Sequence, residues 1–127
     1  MKSNYSLFLD DVRDPKQVTW VILPKTTWIV VRNYESFEST ILTMGMPSFV
    51  TYDHDLSDSH YGDGLNGNDI DYNKYREKTG YDCAKWLVNV CMIKGVKHPP
   101  YIVHSMNPVG KQNIISYVES YNRSFKD

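Results

Sequence analysis

Short, continuous apolar runs alternate along this chain with stretches whose apolar residues keep a helical period. The runs at 5–9, 28–31, 48–52 and 101–103 show no polar alternation, which suits strands covered on both faces. Between them, Phe37, Ile41, Leu42 and Met44 keep helical spacing from Tyr34 to Met44, and Gly45 supplies the stop. Ala84, Leu87, Val88 and Cys91 recur at i, i+3, i+4 and i+7 in a helix that Thr79 or Asp82 opens and Gly95 ends. A last helix takes Asn107 as its cap and Pro108 as its first residue, with Ile114, Tyr117, Val118 and Tyr121 as its buried stripe. Strands that alternate with helices predict an α/β domain with a parallel sheet and right-handed crossovers.

Two segments break this rhythm. From 15 to 24, Val18, Trp20, Val21, Ile22 and Leu23 are apolar without a clean period, so a short helix or an irregular apolar cover is expected. From 57 to 78 runs a polar stretch rich in Gly, Asn and Asp, longer than the ~12 to 15 residues beyond which structureless loops become uncommon. Its acidic run is not a calcium loop. In the register Asp69, Asp71, Asn73, the required Gly is Lys74 and the closing Glu is Gly80.

Composition narrows the class. The 127 residues fit one domain with a real core, and 14 Lys and Arg against 15 Asp and Glu leave no basic field to drive binding to duplex nucleic acid. Cys83 and Cys91 lie eight residues apart on one helix, about 12 Å of rise, too far for a disulfide. Two unpaired thiols point to a reducing compartment. No run approaches the ~20 apolar residues of a membrane span, so a soluble cytoplasmic protein is expected. Trp20, Trp28 and Trp86 read as core aromatics, and His60 and His98 receive no role.

The chemistry gathers where the apolar runs stop. Phe8-Leu9 leads into Asp10-Asp11-Val12-Arg13, Thr51-Tyr52 into Asp53-His54-Asp55, and Ile102-Val103 into His104-Ser105-Met106-Asn107. Ligands of open α/β sheets bind beyond the carboxyl ends of strands, so these ends converge on one site. Carboxylates from Asp10, Asp11 and Asp53 make a hard oxygen site suited to Mg²⁺ or Mn²⁺. His104 and His54 are the candidate acid and base. Arg13, Lys111 and the amides from Ser105 to Gly110 at the last helix are the candidate phosphate contacts. Ser105 and Asn107 also read as capping groups.

An acidic pair after the first strand and an Asp after the third resemble the receiver domain of response regulators. By that resemblance Asp10 and Asp11 match the acidic pair, Asp53 the phosphoacceptor, and Ser105 the hydroxyl kept after strand four. The combination Leu-Asp-Asp-Val-Arg, Asp-His-Asp-Leu, Thr-Gly-Tyr-Asp and His-Ser-Met-Asn-Pro-Val-Gly is closer still to the receiver-like family proposed to process cyclic phosphates. The resemblance implies a three-layer flavodoxin- or receiver-like sheet of four strands in the order 2-1-3-4, without the fifth strand and its Lys. It also implies a metal-dependent phosphoesterase whose partner is a nucleotide or RNA end carrying a 2′,3′-cyclic phosphate. Asp53, His54, Asp55, His104 and Ser105 would form its catalytic set, and Arg13, Asn107 and Lys111 its substrate contacts. The rivals are a binding or signalling module without chemistry, and phosphotransfer through Asp53.

Overall fold

Strand β1 (Ser6–Leu9) lies at the centre of a parallel sheet. β2 (Trp28–Val31) pairs with one side of it, and β3 (Phe49–Tyr52) with the other. β4 (Tyr101–Val103) adds beyond β3, giving the expected order β2-β1-β3-β4. The computed structural model describes residues 5–56 and 78–125. The long loop expected at 57–78 therefore falls, but for Lys78, outside the described residues.

Side-chain alternation divides the sheet into two unlike faces. Leu7, Leu9, Val31, Val50, Tyr52 and Val103 point into a core shared with three helices. These are α1 (Tyr34–Met44), α2 (Gly80–Lys94) and α3 (Pro108–Arg123). Phe37 and Ile41, Leu87 and Val88, and Ile114 and Val118 all enter that one cluster, so the described helices share a face. Leu42 and Met44 do not join it and are exposed, because each step along a helix turns the side chain about 100°.

The opposite face carries Ser6, Phe8 and Thr51, with Trp28 edge-on to both Phe8 and Phe49. Its cover is the connection from β1 to β2, tied down where Ser6 Oγ meets Thr26 Oγ1 at 3.2 Å. Within that connection the ordered element is a single 3-10 turn, Pro15–Gln17, and Val18 is buried. Among the described residues the outer layer on this side is thus irregular rather than helical. Trp20, expected in the core, is 38% exposed, and Trp28 and Trp86 are half-buried.

The helix ends follow the sequence signals. Thr79 caps α2 in a reciprocal box with Asp82, whose amide donates to Thr79 Oγ1 while Asp82 Oδ2 accepts from the Thr79 amide. Asn107 caps α3 through the Gly110 amide, with Pro108 in the first turn. Gly95 closes α2 in the left-handed conformation at φ 72°. Cys83 and Cys91 are buried free thiols, as expected. Among the described residues no helix is long and apolar enough to cross a membrane.

Candidate active site

β1 and β3 run parallel in register, Leu9 opposite Tyr52, so the residues that follow them leave the sheet side by side. The Asp53 amide donates to Leu9 O at 2.9 Å and carries the ladder one step past the strand. As a result Asp10, Asp11 and Asp53 each offer a carboxylate oxygen within 4.8 Å of the others. Asp10 and Asp53 are buried and Asp11 is half-buried.

Asp10 is held by four hydrogen bonds. Its Oδ1 accepts from the amides of Val12 at 3.0 Å and Arg13 at 2.8 Å. Its Oδ2 accepts from His104 Nε2 at 3.0 Å and from the Arg13 guanidinium at 3.3 Å. A carboxylate has about four lone-pair positions, so Asp10 is saturated. Burial alone would raise its carboxyl, but the bonds from His104, Val12 and Arg13 outweigh burial and hold it well below the usual range.

Asp53 is treated oppositely by its surroundings. Burial first, and then the charges of Asp10 and Asp11, push its carboxyl up to about 6 against the pull of His104 and Arg13. Arg13 stands 4.0 Å from Asp53 Oδ2, too far for a hydrogen bond. Two adjacent carboxylates therefore differ because donors offset burial at Asp10, while burial and like charge prevail at Asp53.

His104, expected to act as acid or base, is fully buried. Its ring stacks on Phe8 at 4.8 Å and links Asp10 to Thr51, whose Oγ1 lies 2.8 Å from Nδ1. Ionised Asp10 can only accept, so the Nε2–H of His104 donates to it, while Nδ1 pairs with the Thr51 hydroxyl. Both nitrogens are occupied, and the buried ring fixes Asp10. Trp20 Nε1 donates to the His104 carbonyl at 2.7 Å, while the Trp20 face carries the Arg13 guanidinium at 5.1 Å.

A second cluster joins the β3 end to α3. His54 Nδ1 meets Asp55 Oδ1 at 2.8 Å, and Asn107 Nδ2 donates to the same oxygen at 3.2 Å. The His54 ring lies so close to α3 that a Cβ at Gly110 would run into it. Gly80 plays the same part for α2, where a Cβ would strike the Asp53 carbonyl. Its amide donates to His54 O at 2.8 Å.

Two of the amides expected to be free at α3, and the Lys111 amide beside them, have partners within the chain. The Asn107 amide donates to Ser105 Oγ at 3.1 Å, the Gly110 amide to Asn107 Oδ1 at 3.0 Å, and the Lys111 amide to Asn107 O at 2.8 Å. Ser105 and Asn107 thus act as caps, and Lys111 stands half-buried on the first turn.

Three residues with no role in the sequence reading support the site. Arg32, at the end of β2, donates to Arg13 O at 2.6 Å, Asp10 O at 3.2 Å and Asp14 Oδ1 at 2.7 Å, fastening the turn after β1. Its signal was a charged side chain at a strand's carboxyl end, the same signal that marked the other three. Thr51 supplies the hydroxyl under His104, and Trp20 the shelf under Arg13. His98, also without a role, is buried just before β4, with Tyr52 Oη 2.6 Å from Nε2 and Pro99 O 2.6 Å from Nδ1.

Comparisons of the chain with curated proteins and with solved structures gave no match. A family model described as the cyclic-phosphate processing receiver domain matches residues 5–120, which span every described strand and most of α3. With a parallel 2-1-3-4 sheet and an acidic pair facing the strand-three Asp, the chain belongs to the cyclic-phosphate processing receiver family, whose name links it to that chemistry.

Proposed function

We propose that this chain is a metal-dependent phosphoesterase that opens a cyclic phosphate, with a nucleotide or RNA end bearing a 2′,3′-cyclic phosphate as substrate. The observation that carries this reading is the triple convergence of Asp10, Asp11 and Asp53 within 4.8 Å. Three oxygen donors without a thiolate fit a hard cation, Mg²⁺ or Mn²⁺, and such a cation would relieve the like charge that adds to burial in raising Asp53. When bound, the ion supplies positive charge to the phosphoryl oxygens.

The chain's own groups supply the proton traffic. His54 donates Nδ1–H to Asp55, which leaves the Nε2 lone pair as the base. Asn107 holds Asp55 and so fixes the tautomer. As the water oxygen bonds to phosphorus, its proton passes to His54 Nε2. One P–O bond to the ribose breaks, and the departing oxygen takes up the proton that His54 Nε2 received, which restores the free lone pair. Arg13 and Lys111 meet the phosphate charge. His104 is a positioning residue that sets Asp10, and Ser105 sets Asn107.

Turnover of 2′,3′-cyclic nucleotides is expected with Mg²⁺ or Mn²⁺ and is abolished by chelation. His54→Ala should lower it by about 10²- to 10⁴-fold, the usual worth of a general base. Absence of turnover on every cyclic phosphate tried, with either metal, overturns the reading. Stable labelling of Asp53 by acetyl phosphate without such turnover would assign a phosphoacceptor instead.

A further inference from the structure

The Arg13 guanidinium stands at the acidic cluster itself. It lies 3.3 Å from Asp10 Oδ2 and 4.0 Å from Asp53 Oδ2, oxygens of two of the three carboxylates that converge there. Of the four donors that saturate Asp10, two are backbone amides and one is the His104 ring, which is fully buried and also bonded to Thr51. Only the Arg13 side chain, 30% exposed, can leave without unmaking the fold. A divalent cation that uses Asp10 Oδ2 needs the lone pair Arg13 holds, and two cations cannot share it.

We propose that Arg13 is a resident counter-ion that must withdraw before a metal can bind at Asp10. This rests on the metal-dependent reading above. The Arg13 amide stays on Asp10 Oδ1, and Arg32 grips the Arg13 carbonyl, so the backbone is fixed and the movement is confined to the side chain. A landing place adjoins it. The guanidinium already lies over Trp20 at 5.1 Å, with its second terminal nitrogen 3.9 Å from Met106 Sδ. Trp20 is anchored through Nε1 to the His104 carbonyl, so its indole stays in place as the arginine moves. Released from the carboxylates, Arg13 keeps its full charge beside the pocket for the substrate phosphate. The site thus exchanges one cation for another, and its apparent metal affinity is set by the arginine as well as by the carboxylates.

Mn²⁺ titration of the wild-type protein and of Arg13→Gln, followed by calorimetry and by indole emission, tests this. Subtracting the emission of Trp20→Phe isolates the Trp20 signal from Trp28 and Trp86, and circular dichroism confirms that each variant is folded. The expected result is Mn²⁺ binding at least tenfold tighter in Arg13→Gln. The Trp20 emission should change on Mn²⁺ addition in the wild type and stay still in Arg13→Gln. Equal affinity in the two proteins, or a Trp20 signal in the wild type that does not move while Mn²⁺ binds, overturns the exchange and leaves the metal reading standing. No Mn²⁺ bound by either protein overturns both.

Discussion

The two histidines of the strand ends differ in what their nitrogens are free to do. His104 is sealed between Thr51 and Asp10 against the Phe8 ring, so its removal opens a cavity and takes a donor from a buried carboxylate. His104→Ala should cost about 3 to 5 kcal/mol of stability, the range for truncating a large buried ring to Ala, and urea unfolding measures it. His54 stands at the margin with a partly exposed ring, and His54→Ala should cost about 1 kcal/mol or less while removing most of the turnover. A stability loss larger in His54→Ala than in His104→Ala would reverse the two assignments. Thr51→Val tests the chain from Thr51 through His104 to Asp10: it should cost about 1 kcal/mol, the net worth of one buried hydrogen bond. The sequence marked both imidazoles as strand-end groups. It carried no sign of which was buried, because that depends on Thr51 and Phe8 projecting from neighbouring strands onto the same face.

At the scale of elements, the caps and runs were legible because each has a local cause. Asn107-Pro108 starts α3, the Thr79–Asp82 pair starts α2, and β-branched residues build β2. The connection between β1 and β2 was not legible, since its shape is set by distant partners: the grip of Arg32 on the turn and the bond from Trp20 to the His104 carbonyl. The glycines that let α2 and α3 approach β3 were visible only as helix-start residues. Gly80 faces the Asp53 carbonyl, which is backbone and cannot step aside, whereas Gly110 faces the His54 ring, which can rotate. Gly80→Ala should therefore destabilise by about 1 to 3 kcal/mol or more, the usual cost of overpacking. Gly110→Ala should cost less stability and more turnover, because the ring it displaces is the proposed base. Thermal unfolding beside an activity assay separates the two, and equal losses in both readouts would dissolve the distinction.

Across the whole molecule, two buried groups at opposite ends of the sheet set opposing responses to acid. His98 is buried by the β4 entry, and desolvation lowers it from 6.5 to about 4 in spite of its bond to Pro99 O. The unfolded chain therefore takes up that proton first, and the stability His98 contributes, complete above pH 6.5, declines as pH falls toward 4. Asp53 acts in the other direction. Its carboxyl, raised from 3.8 to about 6, protonates first in the folded chain, so acidification through that window stabilises the fold. At 1.36 kcal/mol per pH unit, each response amounts to about 2 kcal/mol by pH 4.5, so they nearly cancel. The metal-free wild type should accordingly keep an almost level urea midpoint from pH 7 to pH 4.5, with loss setting in below 3.8 as Asp10 protonates in the unfolded chain. Asp53→Asn removes one of the opposing responses. It should exceed the wild type in stability at pH 7, where it is relieved of a charge beside Asp10 and Asp11. It should then lose about 2 kcal/mol on acidification to pH 4.5, the uncompensated share of His98. Saturating Mn²⁺ should impose the same slope on the wild type, because a cation that holds Asp53 ionised removes its answer to acid. A slope in Asp53→Asn no steeper than in the metal-free wild type would show that the two ends of the sheet do not balance in this way.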